Sequence, residues 1–125
     1  MISKQQEIRK PGYKNLIAWE KADNLAHQVY AVSSTFPKTE VFGLTSQLRR
    51  AVLSVPANII EGYARNSKNE FRRFLSIALG SLAESEYFLE FAYKEKYLNA
   101  NSYQNLMVLK DECGRIIWSL YRSQK

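Results

Sequence analysis

The sequence predicts an all-α fold, an antiparallel up-down four-helix bundle, on three observations. Apolar residues recur at three- and four-residue spacing through four long segments, helix-end signals separate those segments, and no stretch alternates as a strand would. Helices of about 20 to 30 residues joined by short turns pack as antiparallel neighbours. Residues 1–13 carry charge and turn formers, ending Lys10-Pro11-Gly12-Tyr13, and read as a flexible basic tail before a bundle domain at 14–125.

The first helix is expected from near Leu16 to Phe36, with Trp19, Ala22, Ala26, Val29 and Phe36 on one stripe, Leu25 and Val32 beside it, and Pro37 as its stop. Thr45 is the expected N-cap of a second helix running to near Arg65, whose buried stripe is Leu44, Leu48, Ala51, Val55 and Ile59. Pro56 lies inside it and removes a backbone donor, so the helix either kinks there or divides into two pieces; the unbroken stripe favours a kink.

Ser67 with Glu70 forms a capping box that opens the longest helix, about 68–97, with Phe71, Phe74, Leu75, Ala78, Leu82, Ser85, Leu89 and Tyr93 facing the core. Gly80 in its interior costs about 1 kcal/mol relative to alanine, and with Ala78, Ser81 and Ala83 it is read as a close approach by a neighbouring helix. Asn101 with Gln104 is a second capping pattern, opening a last helix that buries Tyr103, Leu106, Leu109, Cys113, Ile117 and Leu120.

At 125 residues the chain is one domain, able to bury about two thirds of its unfolded surface without staples. A lone Cys113 and the lack of any Cys/His cluster exclude an internal disulfide and a structural metal. The N-terminus lacks the apolar core of a signal peptide, and no apolar run approaches the roughly 18 residues of a membrane span, so the expectation is a soluble cytoplasmic protein with no membrane partner.

Catalytic chemistry finds little support. A di-iron bundle needs Glu-x-x-His pairs, and this chain has one histidine, His27, and no such motif. The same shortage of bases excludes a hydrolytic triad, and no GxxxxGK loop is present to cradle phosphate. Glu86 and Glu90 read as two like charges on a solvated face. The expectation is a non-enzyme with no cofactor.

Charge and spare apolar surface say more. The formal charge is +6, and residues 1–75 hold 12 Lys/Arg against 6 Asp/Glu while residues 76–125 hold 6 against 6. Arg65, Lys68, Arg72 and Arg73 gather at one end of the bundle, and Arg49 and Arg50 form a second group about 24 Å along the second helix. Phosphate backbones suit such groups; solubilisation by charge is the plainer alternative. Leu53 and Ile60, then Ile77, Phe88 and Phe91, then Val108 and Trp118 fall off the core stripes. Scattered exposed hydrophobes are normal, yet alignment along helices and aromatic content favour a subunit interface.

The segments Phe42-Gly43-Leu44-Thr45-Ser46-Gln47-Leu48-Arg49-Arg50-Ala51, Ser54-Val55-Pro56-Ala57-Asn58-Ile59-Ile60-Glu61-Gly62 and Glu70-Phe71-Arg72-Arg73-Phe74-Leu75 carry a further signal, joined by Ala78-Leu79-Gly80-Ser81-Leu82-Ala83-Glu84. With Tyr13-Lys14-Asn15-Leu16 and Trp19, they resemble the four-helix-bundle proteins of the 23S rRNA intervening-sequence protein family over about residues 13–122. The resemblance implies a homo-oligomeric ring, typically a pentamer, with no established catalytic activity. It also implies similarity to the basic accessory protein of diversity-generating retroelements, which works with RNA or DNA and a reverse-transcriptase partner. It carries Arg49, Arg50, Arg65, Arg72 and Arg73 over as nucleic-acid contacts, and Asn58 and Glu61 as structural residues; Pro56, Gly62 and Gly80 are expected to be structural as well. Ile60-Glu61 and Tyr63-Ala64-Arg65 depart from the family pattern, which usually has small residues and a second glycine near this turn. The combined expectation is a nucleic-acid-binding scaffold, with a protein-interaction scaffold as the alternative.

Overall fold

The computed structural model describes residues 11–125, and residues 1–10 of the expected basic tail lie outside them. Four helices make up the domain: α1 (Ile17–Ser33), α2 (Leu44–Ala64), α3 (Lys68–Lys94) and α4 (Ala100–Ser123). Each packs on two others, α1 on α2 and α4, and α3 on α2 and α4, as the corners of a square do. Contacts between successive helices run in opposite senses. Gly62 meets Phe71 and Phe74 while Ser54 meets Ser81, and Tyr93 meets Tyr103 while Lys110 meets Glu86 and Arg72 meets Tyr121.

The core follows the apolar periodicity. Leu25, Val29, Leu48, Val55, Ile59, Leu75, Leu89, Cys113 and Ile117 are fully buried at the square's centre. Tyr93 departs from its expected core position; it is exposed and stacks on Tyr103 with ring centroids 4.5 Å apart.

Helix ends are where structure and sequence part. Helix α1 stops at Ser33 because Ser34 and Thr35 turn their hydroxyls back to the carbonyls of Ala31 and Val32, at 2.7 and 2.9 Å. Thr45 is a buried residue inside α2 rather than its cap. The cap position is Gly43, and the Glu40 carboxylate accepts the Leu44 N–H at 3.1 Å from the preceding turn. A Cβ on Gly43 would lie 2.8 Å from that carboxylate oxygen, so the glycine makes room for the cap.

The capping residue of α4 is Asn99 rather than Asn101, with Oδ1 accepting from Ser102 N–H at 2.8 Å. Ser67 caps α3 as expected, accepting from Glu70 N–H. That helix ends at Lys94 because Lys96 adopts φ 65°, with Lys96 N–H bonded to Tyr93 and Tyr97 N–H to Ala92, a Schellman closure built without glycine. Asn66 likewise takes a left-handed conformation, φ 53°, between α2 and α3, so the turn forms there without a second glycine. Gly12 and Tyr13, assigned to the tail, belong to a 3-10 turn in which Tyr13 packs edge-on against Trp19 at 5.3 Å.

Helix α2 runs unbroken through the buried Pro56 and is one piece. A polar seam follows on its α3 face. Asn58 Nδ2 donates to the Ser54 carbonyl and hydroxyl, the Ser54 and Ser81 hydroxyls share a 2.8 Å hydrogen bond, and Ser85 Oγ donates to the Ser81 carbonyl. Small residues let the two helices approach. The closest point is Gly62, where a Cβ would stand 2.8 Å from Phe74 Cβ and 3.0 Å from Phe71 Cδ1. Gly80, expected to mark such an approach, has nothing within 4 Å of its virtual Cβ and is exposed. Its neighbour Ser81 faces α2 instead, one residue and about 100° around the helix.

Replacing Gly62 by alanine is expected to lower the unfolding free energy by about 1–3 kcal/mol through overpacking. Gly80→Ala is expected to raise it by about 0.5–1 kcal/mol through helix propensity. Urea unfolding followed by circular dichroism reads both, and effects of the same sign would refute this division.

Candidate nucleic-acid interface

The tight turn between α2 and α3 sets the geometry of the basic end. Gly62 lets the aromatic pair Phe71 and Phe74 lie against α2, and Asn66 reverses the chain within three residues. Arg65 thereby comes beside the first turns of α3. Its guanidinium and that of Arg73 both stack on Phe74, at 5.2 and 5.0 Å from the ring centroid. Each also meets a carboxylate, Arg65 with Glu61 at 2.7 Å and Arg73 with Glu70 at 3.4 Å. These pairs are solvent-exposed, contribute about 0–1 kcal/mol each, and yield readily to a competing anion.

Arg72 points to the other side of α3 and stacks over Tyr121 of α4 at 4.7 Å. Lys68 lines a crevice of about 350 Å³ with Tyr63, Ser67, Phe71 and Gln124 at the tip. Arg122, which sequence reasoning passed over, reaches the same end because α4 finishes where α3 begins. Five cations therefore share this end with the carboxylates of Glu61 and Glu70. Among the described residues Lys68, Arg72 and Arg122 form no ion pair.

The second basic group is dispersed by the structure. Arg49 Nε donates to Ser33 Oγ at 2.9 Å, Nη2 donates to the Tyr30 carbonyl at 3.2 Å, and the guanidinium stacks over the Tyr30 ring at 4.4 Å. It satisfies the Tyr30 carbonyl in the last turn of α1, a favourable place for a cation, and ties α1 to α2. Arg50 is exposed and shares a groove of about 570 Å³ with Glu84, Ser54, Ser81 and Phe88. A carboxylate in the same groove offsets its charge.

The spare apolar residues differ in exposure. Ile60 and Phe88 are half-buried, and Leu53, Ile77, Phe91, Val108 and Trp118 are exposed. Phe88 and Phe91 cluster with Tyr87, which lies 5.8 and 6.4 Å from them, and this cluster flanks the groove that also holds Phe42. Phe42 is 95% exposed, the barest large apolar side chain described. It sits in a turn, where no periodicity singles it out. Trp118 stands apart on α4, stacked on Tyr121 at 5.3 Å and 17°.

Several of the remaining ionisable groups pair off. Glu86 and Glu90, two like charges in sequence, each hold a lysine, Lys110 and Lys94, at 2.9 Å. Partial burial opposes the charge on Lys110, but hydrogen bonds to Asp111 and Glu86 outweigh it and raise the ammonium above its usual range. Burial, with a contribution from Glu112, pushes the Cys113 thiol up to about 12. Among the described residues no group of three His, Cys, Asp or Glu side chains could hold a metal ion, and no helix is long and apolar enough to cross a membrane.

These features define a class: a helical bundle whose surface chemistry is cationic and aromatic. Residues 14–119 match the family described as 23S rRNA-intervening sequence protein, and the chain belongs to that family. A protein of unknown function from the S23 ribosomal protein family of Bacteroides thetaiotaomicron VPI-5482 has the same fold. Its crystal structure superposes with a TM-score of 0.78 at 24% identity, over 84% of this chain and 98% of its own. No curated protein shows significant similarity to the chain.

Arg49→Ala is expected to cost about 1–3 kcal/mol of stability, and Arg50→Ala less than about 0.5 kcal/mol; equal unfolding midpoints for the two would refute the structural role of Arg49. Cys113 should resist iodoacetamide at pH 8 in native buffer and react once urea unfolds the chain, because a buried thiol with a pKa near 12 offers almost no thiolate. Mass spectrometry of the alkylated chain checks this.

Proposed function

We propose that this protein is a non-enzymatic homo-oligomeric scaffold, with a pentamer as the working form, that binds RNA or DNA through the basic end of each bundle. The observation that carries the reading is the convergence of Arg65, Lys68, Arg72, Arg73 and Arg122 on one end, where Glu61 and Glu70 pair with only Arg65 and Arg73 among the described residues. Cations fixed on a helical frame neutralise backbone phosphates, and the release of counterions drives the association with little sequence readout. Oligomerisation is supported by the exposed apolar residues along α2 and α3, Leu53, Ile77 and Phe91, together with Phe42. A ring would repeat the basic end around its axis and make weak contacts multivalent.

A protein-interaction scaffold is the second reading, favoured by the aromatic cluster of Phe42, Tyr87, Phe88 and Phe91. On that reading a reverse-transcriptase-like or other protein is the partner, and the charge serves solubility.

Two or three unpaired cations and two exchangeable ones per subunit predict that log K falls with log salt at a slope of about −2 to −4 for each subunit engaged. The double variant Arg65→Glu, Arg72→Glu should weaken binding to mixed RNA and duplex DNA at least tenfold while leaving the circular-dichroism spectrum unchanged. Light scattering on the size-exclusion peak should give a multiple of the 14.5 kDa chain mass. Undetectable binding of the wild type at low salt, or a monomer mass, would overturn the corresponding half of the reading.

A further inference from the structure

On the side of the bundle where α3 meets α4, Arg72, Tyr121 and Trp118 form a continuous stack. The Arg72 guanidinium lies 4.7 Å from the Tyr121 ring centroid, and Tyr121 lies nearly parallel to Trp118 at 5.3 Å. Tyr121 covers one face of the indole, and Trp118 stays 51% exposed. Arg115 and Arg122 stand one helical turn to either side, at i−3 and i+4 from Trp118, and both are exposed. Among the described residues neither they nor Arg72 make an ion pair. Asp111, one turn beyond Arg115, is held by Lys110 at 2.7 Å.

We infer that Trp118 is a stacking platform for an unpaired base of single-stranded nucleic acid, with Arg72, Arg115 and Arg122 on the adjoining phosphates. The inference rests on the nucleic-acid reading and deepens it. The occupant must be flat, to extend an aromatic stack, and joined to anions, because guanidinium groups that form no close ion pair among the described residues flank that stack. A nucleotide meets both demands. Arg115 and Arg122 stand about 10 Å apart along α4, with the indole between them, so a strand crossing the face meets cation, ring and cation in turn. Base-on-aromatic stacking accepts any base and adds a large increment to charge-driven binding. Bases inside a duplex are already stacked and offer no open face, so the site selects single strands over duplex where the basic end does not.

Anisotropy of labelled oligo(U) and of a duplex of the same length, measured on wild type, Trp118→Ala and Trp118→Phe, tests this. Trp118→Ala should weaken oligo(U) binding about 5- to 100-fold and change duplex binding less than twofold, and Trp118→Phe should recover most of the loss. Oligo(U) should also quench wild-type tryptophan fluorescence more than it quenches Trp118→Phe. The exposed position keeps the alanine variant folded, which circular dichroism checks. Unchanged oligo(U) affinity in Trp118→Ala, with salt-dependent duplex binding intact, would overturn the platform and leave the basic end standing. A wild type that binds neither nucleic acid removes both readings. A lower assembly mass in Trp118→Ala would place the residue in a subunit contact and also overturn the platform.

Discussion

The close contact between α2 and α3 is the constraint on which the rest of the bundle depends. Gly62 allows Phe71 and Phe74 to lie directly on α2, and a 2.8 Å hydrogen bond between Ser54 and Ser81 joins the two helices, with Asn58 and Ser85 bonded back within their own helices to its ends. Pro56 stands within this stretch, buried, with no N–H to offer the preceding turn. Polar groups at a packed helix contact are tolerable because each finds a partner. The result fixes both the rotation of α2 against α3 and the turn that joins them.

Everything at the basic end inherits that rotation. Phe74, held against Gly62, is the ring on which Arg65 and Arg73 converge from two different helices. Their side chains are thus held near one another by an aromatic surface rather than left free in solvent, which lowers the entropy lost when an anion binds. Arg72 is adjacent to Arg73 in sequence, but a step of about 100° sends it to Tyr121 on the far side. One short run of arginines therefore supplies two surfaces of different character. The first is a paired, exchangeable cluster beside Glu61 and Glu70. The second is an aromatic stack whose Arg72 forms no ion pair among the described residues.

The exposed aromatics divide in the same way. Phe42, Tyr87, Phe88 and Phe91 lie toward the end of the bundle where α2 begins and α3 finishes, while Trp118 lies with Arg72 near the other. The proposed scaffold would use the two ends differently, one toward copies of itself and the other toward a charged polymer. The core beneath them holds no exchangeable chemistry; its one thiol is buried and protonated at neutral pH.

Periodicity alone determined the four helices and most of their buried positions, because burying one stripe per helix demands apolar residues at that spacing and nowhere else. The Ser67 cap was legible for a similar reason, since its hydroxyl bonds within its own turn. Caps supplied from elsewhere were not. Glu40 reaches Leu44 from a neighbouring turn, and Lys96 takes a left-handed conformation that no glycine announces. The candidate site shows the same boundary. The sequence placed Arg65, Lys68, Arg72 and Arg73 at one end, but it gave no means of separating Arg49, bonded to the end of α1, from Arg50, exposed beside Glu84. Nor did it bring Arg122 and Trp118 to Arg72. Those outcomes depend on which helix faces which and at what height, and these are properties of packing between segments far apart in the chain. Local spacing determines the stripe a helix buries; only the assembled bundle decides what stands next to the residues left outside it.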